Sequence, residues 1–367
     1  MKVEANILTE AGFVQGHLFV NGPHINKIQG EWVSEPQAQL NGLPWLVPGF
    51  IDCHVHGGGG FDVMEGAPAL EHITQVHARH GTTALLATTL TSPQPSLAST
   101  FSTISSVMNQ AAQSGSTVLG VHLEGPYINP DKLGAQPDFA RPFELDELLS
   151  LHATAPIRVI TLAPEVTGHM DAIGTLLKLG IKVQQGHSLS TYDQAMTAFE
   201  LGAKGFTHLF NAMSGVHHRQ PGMVGAALAH AEYAEIIPDL IHVHAGAIKT
   251  AARCIPKLFT VTDATAATGM PDGSYRLGSQ QVFKCMGCVK LPNGTLAGSV
   301  LTMDQAFRNW VELGFSLAQA SHKTSRHAAD YLGEYQRGRI RQGLIADLVL
   351  LDKQLNVQHV WIKGVSV

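Results

Sequence analysis

The segment PGFIDCHVHGGGG, residues 48–60, turns an apolar strand directly into two imidazoles and a glycine-rich loop. Period-two alternation through Phe50, Ile51 and Val55 sends His54 and His56 to the same side. Two neutral imidazoles with aligned lone pairs make half of a divalent-metal site, and the glycines let a ligand come close to the backbone. An HxH pair alone reads equally well as two satisfied histidines at a strand end. Further donors recur downstream at the ends of apolar runs: Glu124 in HLEGPY, His187 in GHS, His208 in THLFNAM, then His242, and Asp263 in VTDAT. Imidazole nitrogen and carboxylate oxygen suit zinc and related first-row ions. Glu124, His187 and His208 would leave an open coordination position, suited to ionising a water near neutral pH. His54 and His56 could hold a second ion. Asp263 has a different prospect: a carboxylate beside such a water can take its proton during attack and return it to a leaving nitrogen. The plainer alternative for Asp263 is a cap on the following helix. His122 and His244 read as structural hydrogen-bonders.

Something must bring these dispersed groups together. From residue 48 onward, strand and helix patterns alternate with short connections, which favours parallel βαβ units. Apolar runs starting at Phe50 and spanning 83–90, 118–124, 157–162, 181–185, 205–209, 240–244 and 258–263 give about eight strands, with a helix around 68–80. That is the tally of an α/β fold of the (β/α)8 barrel type, whose strands all open their carboxyl ends onto one face. His242 falls in the seventh strand of this scheme and Asp263 ends the last. Residues 1–47 hold short strands punctuated by turns such as Asn21-Gly22, and 340–367 hold further strands. Both pieces are too small to fold alone. They are expected to pair into one small discontinuous β-sandwich, with 48–339 as the catalytic barrel inserted between them.

Composition fits and excludes. The 367 residues suffice for a large domain with a small companion. Charged residues are only 14%, while 37 glycines and 20 histidines point to many ordered turns and to coordination or proton transfer. A net charge of −5 without any lysine or arginine run gives no electrostatic footprint for nucleic acid or an acidic membrane surface. No apolar run approaches the roughly eighteen residues of a membrane span, so a soluble cytoplasmic protein acting on a small molecule is expected. The four cysteines are too sparse for a secreted framework. Cys285 and Cys288 form a CxxC without a second CxxC, which reads as a reduced pair on a hairpin.

Taken in order, PGFIDCHVHGGGG, HLEGPYINPDKLGAQ, GHS, THLFNAM, HHRQPGMVGAAL, VTDAT and LAGSVLTMDQAFRN resemble the N-acetylhexosamine-6-phosphate deacetylases of the amidohydrolase superfamily, from about residue 48 to the end. The resemblance implies a metal-bearing barrel beside a small β-sandwich, usually dimeric, that releases acetate from the 2-acetamido group of a 6-phosphorylated amino sugar. It implies Glu124, His187 and His208 as main metal ligands and Asp263 as acid/base. By the same resemblance, His242 lies near the acetamido carbonyl, and Asn211, Ala212 and Arg219 recognise phosphate, the arginine being lent across a homodimer. Ala135, Gln136, Leu301, Thr302 and Met303 correspond to sugar-contacting positions. Some members lack the HxH pair, which leaves one or two ions per subunit open here, zinc first, with iron or manganese also suited. Gln136 stands where many relatives have histidine, and Asp239-Leu240-Ile241-His242 departs from the usual Asp-Gly-x-His. The runs DVMEGAP, GMPDGSYRLG and NVQHVWIKG are most similar to the N-acetylgalactosamine 6-phosphate branch, with N-acetylglucosamine 6-phosphate as the alternative. A more distant reading is another amidohydrolase acting on a cyclic amide, though no lysine is placed to bridge two metals. A sugar-phosphate binding protein without activity would have no use for Asp263.

Overall fold

The computed structural model describes residues 1–110 and 115–367. Eight parallel strands form its centre: β1 Phe50–Val55, β2 Thr82–Thr89, β3 Thr117–Glu124, β4 Ile157–Leu162, β5 Lys182–Gln185, β6 Gly205–Phe206, β7 Tyr233–Ile236 and β8 Lys257–Thr260. Strands β1 to β6 pair in sequential order, and β7 pairs with β8. Two sets of main-chain bonds complete the circuit. Leu209 N donates to Glu235 O at 2.9 Å across β6 and β7, and Asp263 N donates to His54 O at 3.0 Å across β8 and β1. All eight residues of β2, TTALLATT, are buried, as expected of a strand covered on both faces.

Helices follow the strands and cover the sheet. Ala67–Arg79, Gln94–Met108, Leu145–Thr154 and His169–Lys178 pack Leu70, Ile73, Phe101, Ile104, Leu148, Ile173 and Leu176 against Leu85, Val121, Leu123 and Val183. Local chemistry starts and stops them. Thr191 and Gln194 make a reciprocal capping box at the start of Tyr192–Leu201, and Gly202, with φ 112°, ends it in a conformation that side chains resist.

The termini join in one seven-stranded sheet. From one edge to the other it runs Val365–Ser366, Val357–Ile362, Leu348–Leu351, Trp45–Pro48, Lys2–Thr9, Gly12–Asn21, His24–Val33. The sheet curls on itself, because Ala346 N donates to Pro23 O at 2.8 Å and Ile25 N to Leu344 O at 2.9 Å. Ile7, Leu18, Val20, Ile25, Leu46, Leu348 and Trp361 are enclosed between its layers.

The seventh strand differs from expectation. It is Tyr233–Ile236, and 240–244 is a bend. Asp239 explains the change: its Oδ1 accepts from Ile241 N at 2.9 Å and His242 N at 2.8 Å, a local turn that competes with a ladder. His244 then caps the helix Ala245–Cys254 through Gly246 N. His242 is therefore a loop residue beyond the strand. A three-stranded antiparallel insert, Gly273–Leu277, Gln280–Cys285 and Cys288–Lys290, stands between β8 and the last barrel helix, Met303–Glu312. Cys285 and Cys288 face each other across its Met286-Gly287 turn as free thiols.

A buried ion pair ties the small sheet to the barrel. Arg337 bonds Asp347 Oδ2, Lys363 N donates to Asp347 Oδ1 at 2.7 Å, and Gly49 N donates to Asp347 O at 2.8 Å. Asp347→Ala leaves the guanidinium buried without a partner and is expected to cost about 3–5 kcal/mol in urea unfolding. Replacing both partners, Arg337→Met with Asp347→Leu, is expected to recover most of that loss.

Candidate active site

The strand ends deliver the donors the sequence marks. His54 on β1 and Glu124 on β3 are almost fully buried, as are His56, His187 and His208 just past their strands. Glu124 Oε1 lies 3.0 Å from His187 Nε2 and 2.9 Å from His208 Nε2, and the two nitrogens are 3.1 Å apart. Glu124 Oε2 lies 3.3 Å from His54 Nε2 and 3.0 Å from His56 Nε2, which are 3.2 Å from each other. Asp263 Oδ1 closes this second group, 3.2 Å from His56 and 3.5 Å from His54. One carboxylate thus serves two adjoining donor clusters, Glu124/His187/His208 and His54/His56/Asp263.

Outer contacts aim these rings inward. His187 Nδ1 is 2.8 Å from Lys132 O and His56 Nδ1 is 3.2 Å from Thr88 O, and a carbonyl can only accept, so both Nδ1 atoms carry hydrogen. His54 Nδ1 meets Glu235 Oε2 at 3.1 Å. In the neutral rings the Nε2 lone pairs then face one another and the carboxylates, a grouping that a bound cation relieves. His208 Nδ1 has no partner among the described residues, and its backbone N–H is held by Glu235 Oε2 at 3.2 Å.

The electrostatics show the same demand for positive charge. Burial pushes the His56 imidazole down, yet Asp263 and Glu124 outweigh it and carry its pKa up to about 9. His54 is likewise disfavoured as a cation by burial but raised well above its ordinary value by Glu124 and Asp263. Burial raises Glu124 and Asp263, and the surrounding imidazoles hold both below the usual carboxylate range. Both are ionised at neutral pH.

Backbone strain sits at the same three corners. His187, His208 and Asp263 have φ of 47°, 28° and 51°, and Ala212 has 52°. Left-handed backbone is unfavourable for residues other than glycine and persists where surrounding bonds enforce it, often at functional sites. Here those bonds include Asp263 N to His54 O, Ser299 N to Asp263 O and Ser188 N to Ala212 O.

Above the donors opens a cavity of ≈ 370 Å³, within the range of small-ligand pockets. His56, Glu124, Ala135, Gln136, His187, His208, Asn211, Ala212, His242 and Asp263 all line it. Gln136 is fixed at both ends: Oε1 accepts from Thr91 N at 2.7 Å, so Nε2 donates to Glu124 Oε2 at 2.6 Å. Asp239 Oδ2 bonds His242 Nδ1 at 2.6 Å, and although burial opposes it, this carboxylate raises the ring's pKa. Not every expected residue reaches the wall. Leu301 and Met303 are buried in the apolar core, Thr302 starts the helix Met303–Glu312, and none of the three lines the cavity. Arg219 is exposed on the turn 217–220, bonded to His218 Nε2 at 2.8 Å, and is also off the wall.

Several site residues escaped the sequence reading. Lys132, Leu277, Thr295 and Leu296 also line the cavity, the last three from the insert and the loop that follows it. Glu235 and Gln184 lie beneath the donors, bonded to each other at 2.9 Å. Their signal was a charge and an amide inside short buried strands, legible for Glu235 only once β7 is placed correctly.

Comparison with known proteins agrees with this geometry. Residues 45–367 match the amidohydrolase family. An N-acetylgalactosamine-6-phosphate deacetylase of Escherichia coli O157:H7 is 40% identical over 375 residues, 98% of this chain and 96% of that protein. An N-acetylglucosamine-6-phosphate deacetylase of Vibrio furnissii is 39% identical over 87% of this chain and 82% of its own. Among solved structures, a variant of the Mycobacterium smegmatis N-acetyl-D-glucosamine-6-phosphate deacetylase in complex with N-acetyl-D-glucosamine-6-phosphate superposes with a TM-score of 0.92 at 31% identity, covering 100% of this chain and 98% of that one. With a closed eight-stranded barrel and two donor clusters at its carboxyl end, the chain belongs to the amidohydrolase family.

Proposed function

We propose that this protein hydrolyses the acetamido group of an N-acetylhexosamine 6-phosphate to the amino-sugar 6-phosphate and acetate, with N-acetylgalactosamine 6-phosphate the preferred epimer and N-acetylglucosamine 6-phosphate the alternative. The observation that carries the reaction is the meeting of Glu124, His187, His208 and Asp263 on the wall of one cavity. The epimer preference rests on the relative from Escherichia coli O157:H7, which matches nearly the whole chain.

Glu124, His187 and His208 would hold one divalent ion, and His54 and His56 with the second Glu124 oxygen a further one. Nitrogen and oxygen donors suit zinc first, and iron or manganese as well. When bound, such an ion polarises the amide carbonyl and acidifies water near neutral pH. The chain's own groups handle the protons. Asp263, ionised at neutral pH, accepts the proton of the attacking water as its oxygen adds to the acetamido carbon. It returns that proton to the sugar nitrogen as the C–N bond breaks and acetate departs. His242, whose imidazolium Asp239 favours against the opposing effect of burial, would in that form offer Nε2–H to the carbonyl oxygen as that oxygen becomes negative. Asn211 and Ala212, both on the cavity wall, would meet the sugar phosphate.

The phosphate needs a guanidinium from elsewhere. Among the described residues on the wall the only lysine or arginine is Lys132. We assign that role to Arg219 of a second subunit in a homodimer, where a planar cation can bond phosphate in two places.

Acetate release from the two epimeric 6-phosphates and the unphosphorylated sugars tests the substrate. kcat/KM is expected to be higher for the galacto epimer and to fall at least ~100-fold without phosphate, since each charge-assisted contact is worth about 1.5–3 kcal/mol. Equal turnover without phosphate would remove Asn211, Ala212 and Arg219 from recognition.

Asp263→Asn is expected to lower kcat by about 10²–10⁴-fold with substrate affinity changed only a few-fold, measured by single-turnover kinetics and equilibrium binding. Full activity would remove Asp263 from the proton transfer.

Sharing of Arg219 is checked by mixing subunits. Arg219→Ala and Asp263→Asn proteins are each expected to be nearly inactive. Co-refolded one to one, they should recover about a quarter of wild-type activity, because half the dimers then carry one complete site. No recovery in verified mixed dimers would refute the shared arginine.

A further inference from the structure

Below the cavity lies a buried carboxylate to which the reaction as described gives no task. Glu235, on β7, is fully buried. Among the described residues no lysine or arginine pairs with it, and a carboxylate at this depth is costly unless hydrogen bonds compensate it. It collects three donors. Oε1 accepts Gln184 Nε2–H at 2.9 Å, and Oε2 accepts both His54 Nδ1–H at 3.1 Å and the backbone N–H of His208 at 3.2 Å. The amide cannot be turned round, because an ionised carboxylate can only accept, and Gln184 Oε1 then accepts from Thr207 Oγ1 at 2.8 Å. Thr207 in turn bonds Thr161 at 2.7 Å, and Thr161 bonds His122 Nε2 at 2.8 Å. A polar chain therefore crosses the barrel interior and ends on Glu235.

One oxygen of Glu235 consequently grips a member of each donor cluster. On His54 it grips the side chain, and on His208 only the main chain. The consequences differ. A carboxylate accepting Nδ1–H fixes an imidazole's tautomer, points its Nε2 lone pair at the site and raises its basicity. That applies to His54 alone. His187 and His56 are fixed by carbonyls, which cannot be mutated away and carry no full charge.

Building on the metal-dependent reading above, we propose that Glu235 is the positioning residue that makes the His54/His56 cluster a metal pocket, by holding His54 as the Nδ1–H tautomer beneath it. Glu124, His187 and His208 keep their ion without this contact. The divalent occupancy of the enzyme is thus set from β7, on the side of the ring remote from the cavity.

The test reads metal. Metal-stripped wild-type and Glu235→Leu proteins, the variant having no acceptor for His54 Nδ1–H, are loaded with zinc, challenged with graded chelator and counted by elemental analysis. The wild type is expected to hold two ions per chain, and the variant to keep the tighter one unchanged while the weaker is lost at 10–100-fold lower chelator concentration. A variant that holds both ions with wild-type resistance overturns the proposal, as does a wild type that takes up one ion at saturating zinc. Should Glu235→Leu fail to fold, ¹⁵N-histidine NMR on the zinc-loaded wild type decides. His54 must show its proton on Nδ1, and a proton on Nε2 overturns the assignment. Neither readout involves acetate, so a protein that follows these outcomes but does not deacetylate sinks the substrate reading and leaves the role of Glu235 intact.

Discussion

Everything at the barrel mouth is arranged around a buried anion that faces two ways. Glu124 sets one oxygen against His187 and His208 and the other against His54, His56 and the Gln136 amide, within 2.6–3.3 Å in every case. A carboxylate alone at that depth would take up a proton. Surrounded by imidazoles it stays ionised, and in return it favours positive charge among them. The arrangement is stable only with its partners held at fixed separations, which is what the closed ring of strands provides. The strain at His187, His208 and Asp263 follows from it: extended backbone would carry these side chains along the strand direction, while a left-handed residue turns the chain at the rim.

The layers around this anion divide the work. Beneath it, Asp52 accepts from Thr262 Oγ1 at 2.6 Å and Thr262 N at 3.2 Å, lacing β1 to the segment that carries Asp263. Above it, the three-stranded insert braces the cavity wall, since Gln280 Nε2 donates to Ala135 O at 2.7 Å and Gly278 N to Asp62 Oδ2 at 2.9 Å. The loops of the rim are thus cross-linked to one another as well as to their own strands. Such a cavity is formed before substrate arrives, and less ordering free energy is lost on binding.

Much of this was legible from residue order. Apolar runs ending in histidine or an acid locate strand termini, and a barrel requires those termini to converge, so His54, His56, Glu124, His187, His208 and Asp263 could be grouped before any coordinates. The misplaced seventh strand has one cause, which is local polar bonds overriding an apolar pattern. Leu240-Ile241-His242-Val243-His244 alternates like a strand, yet Asp239 and His244 spend their side chains on nearby amides and leave Leu240 and Ile241 exposed. Displacing the strand by several residues hid Glu235. Leu301, Thr302 and Met303, expected near the sugar, begin a helix whose first apolar residue turns into the core, and none of them lines the cavity.

The same logic explains why the polar and apolar halves of the barrel do not compete. Hydrogen bonds inside the ring run from β1 to β7 and from β5 to β7, between strands that are not neighbours, so they must cross the interior. Side chains that do this cannot also fill space as leucine and isoleucine do. The other end makes up for it. The stretch 317–332 packs Ala328, Ala329, Tyr331 and Leu332 against Ile51, Cys53, Val159, Phe259 and Val261. Tyr331 and Phe259 lie ring to ring at 5.2 Å. Apolar burial at about 25 cal/mol per Å² is non-directional and tolerates small shifts, whereas the polar half tolerates almost none. Placing the tolerant half at the plug and the exacting half at the mouth lets the fold draw stability from one end while the other remains a set of mutually constrained donors, whose geometry is worth keeping only for the chemistry it permits.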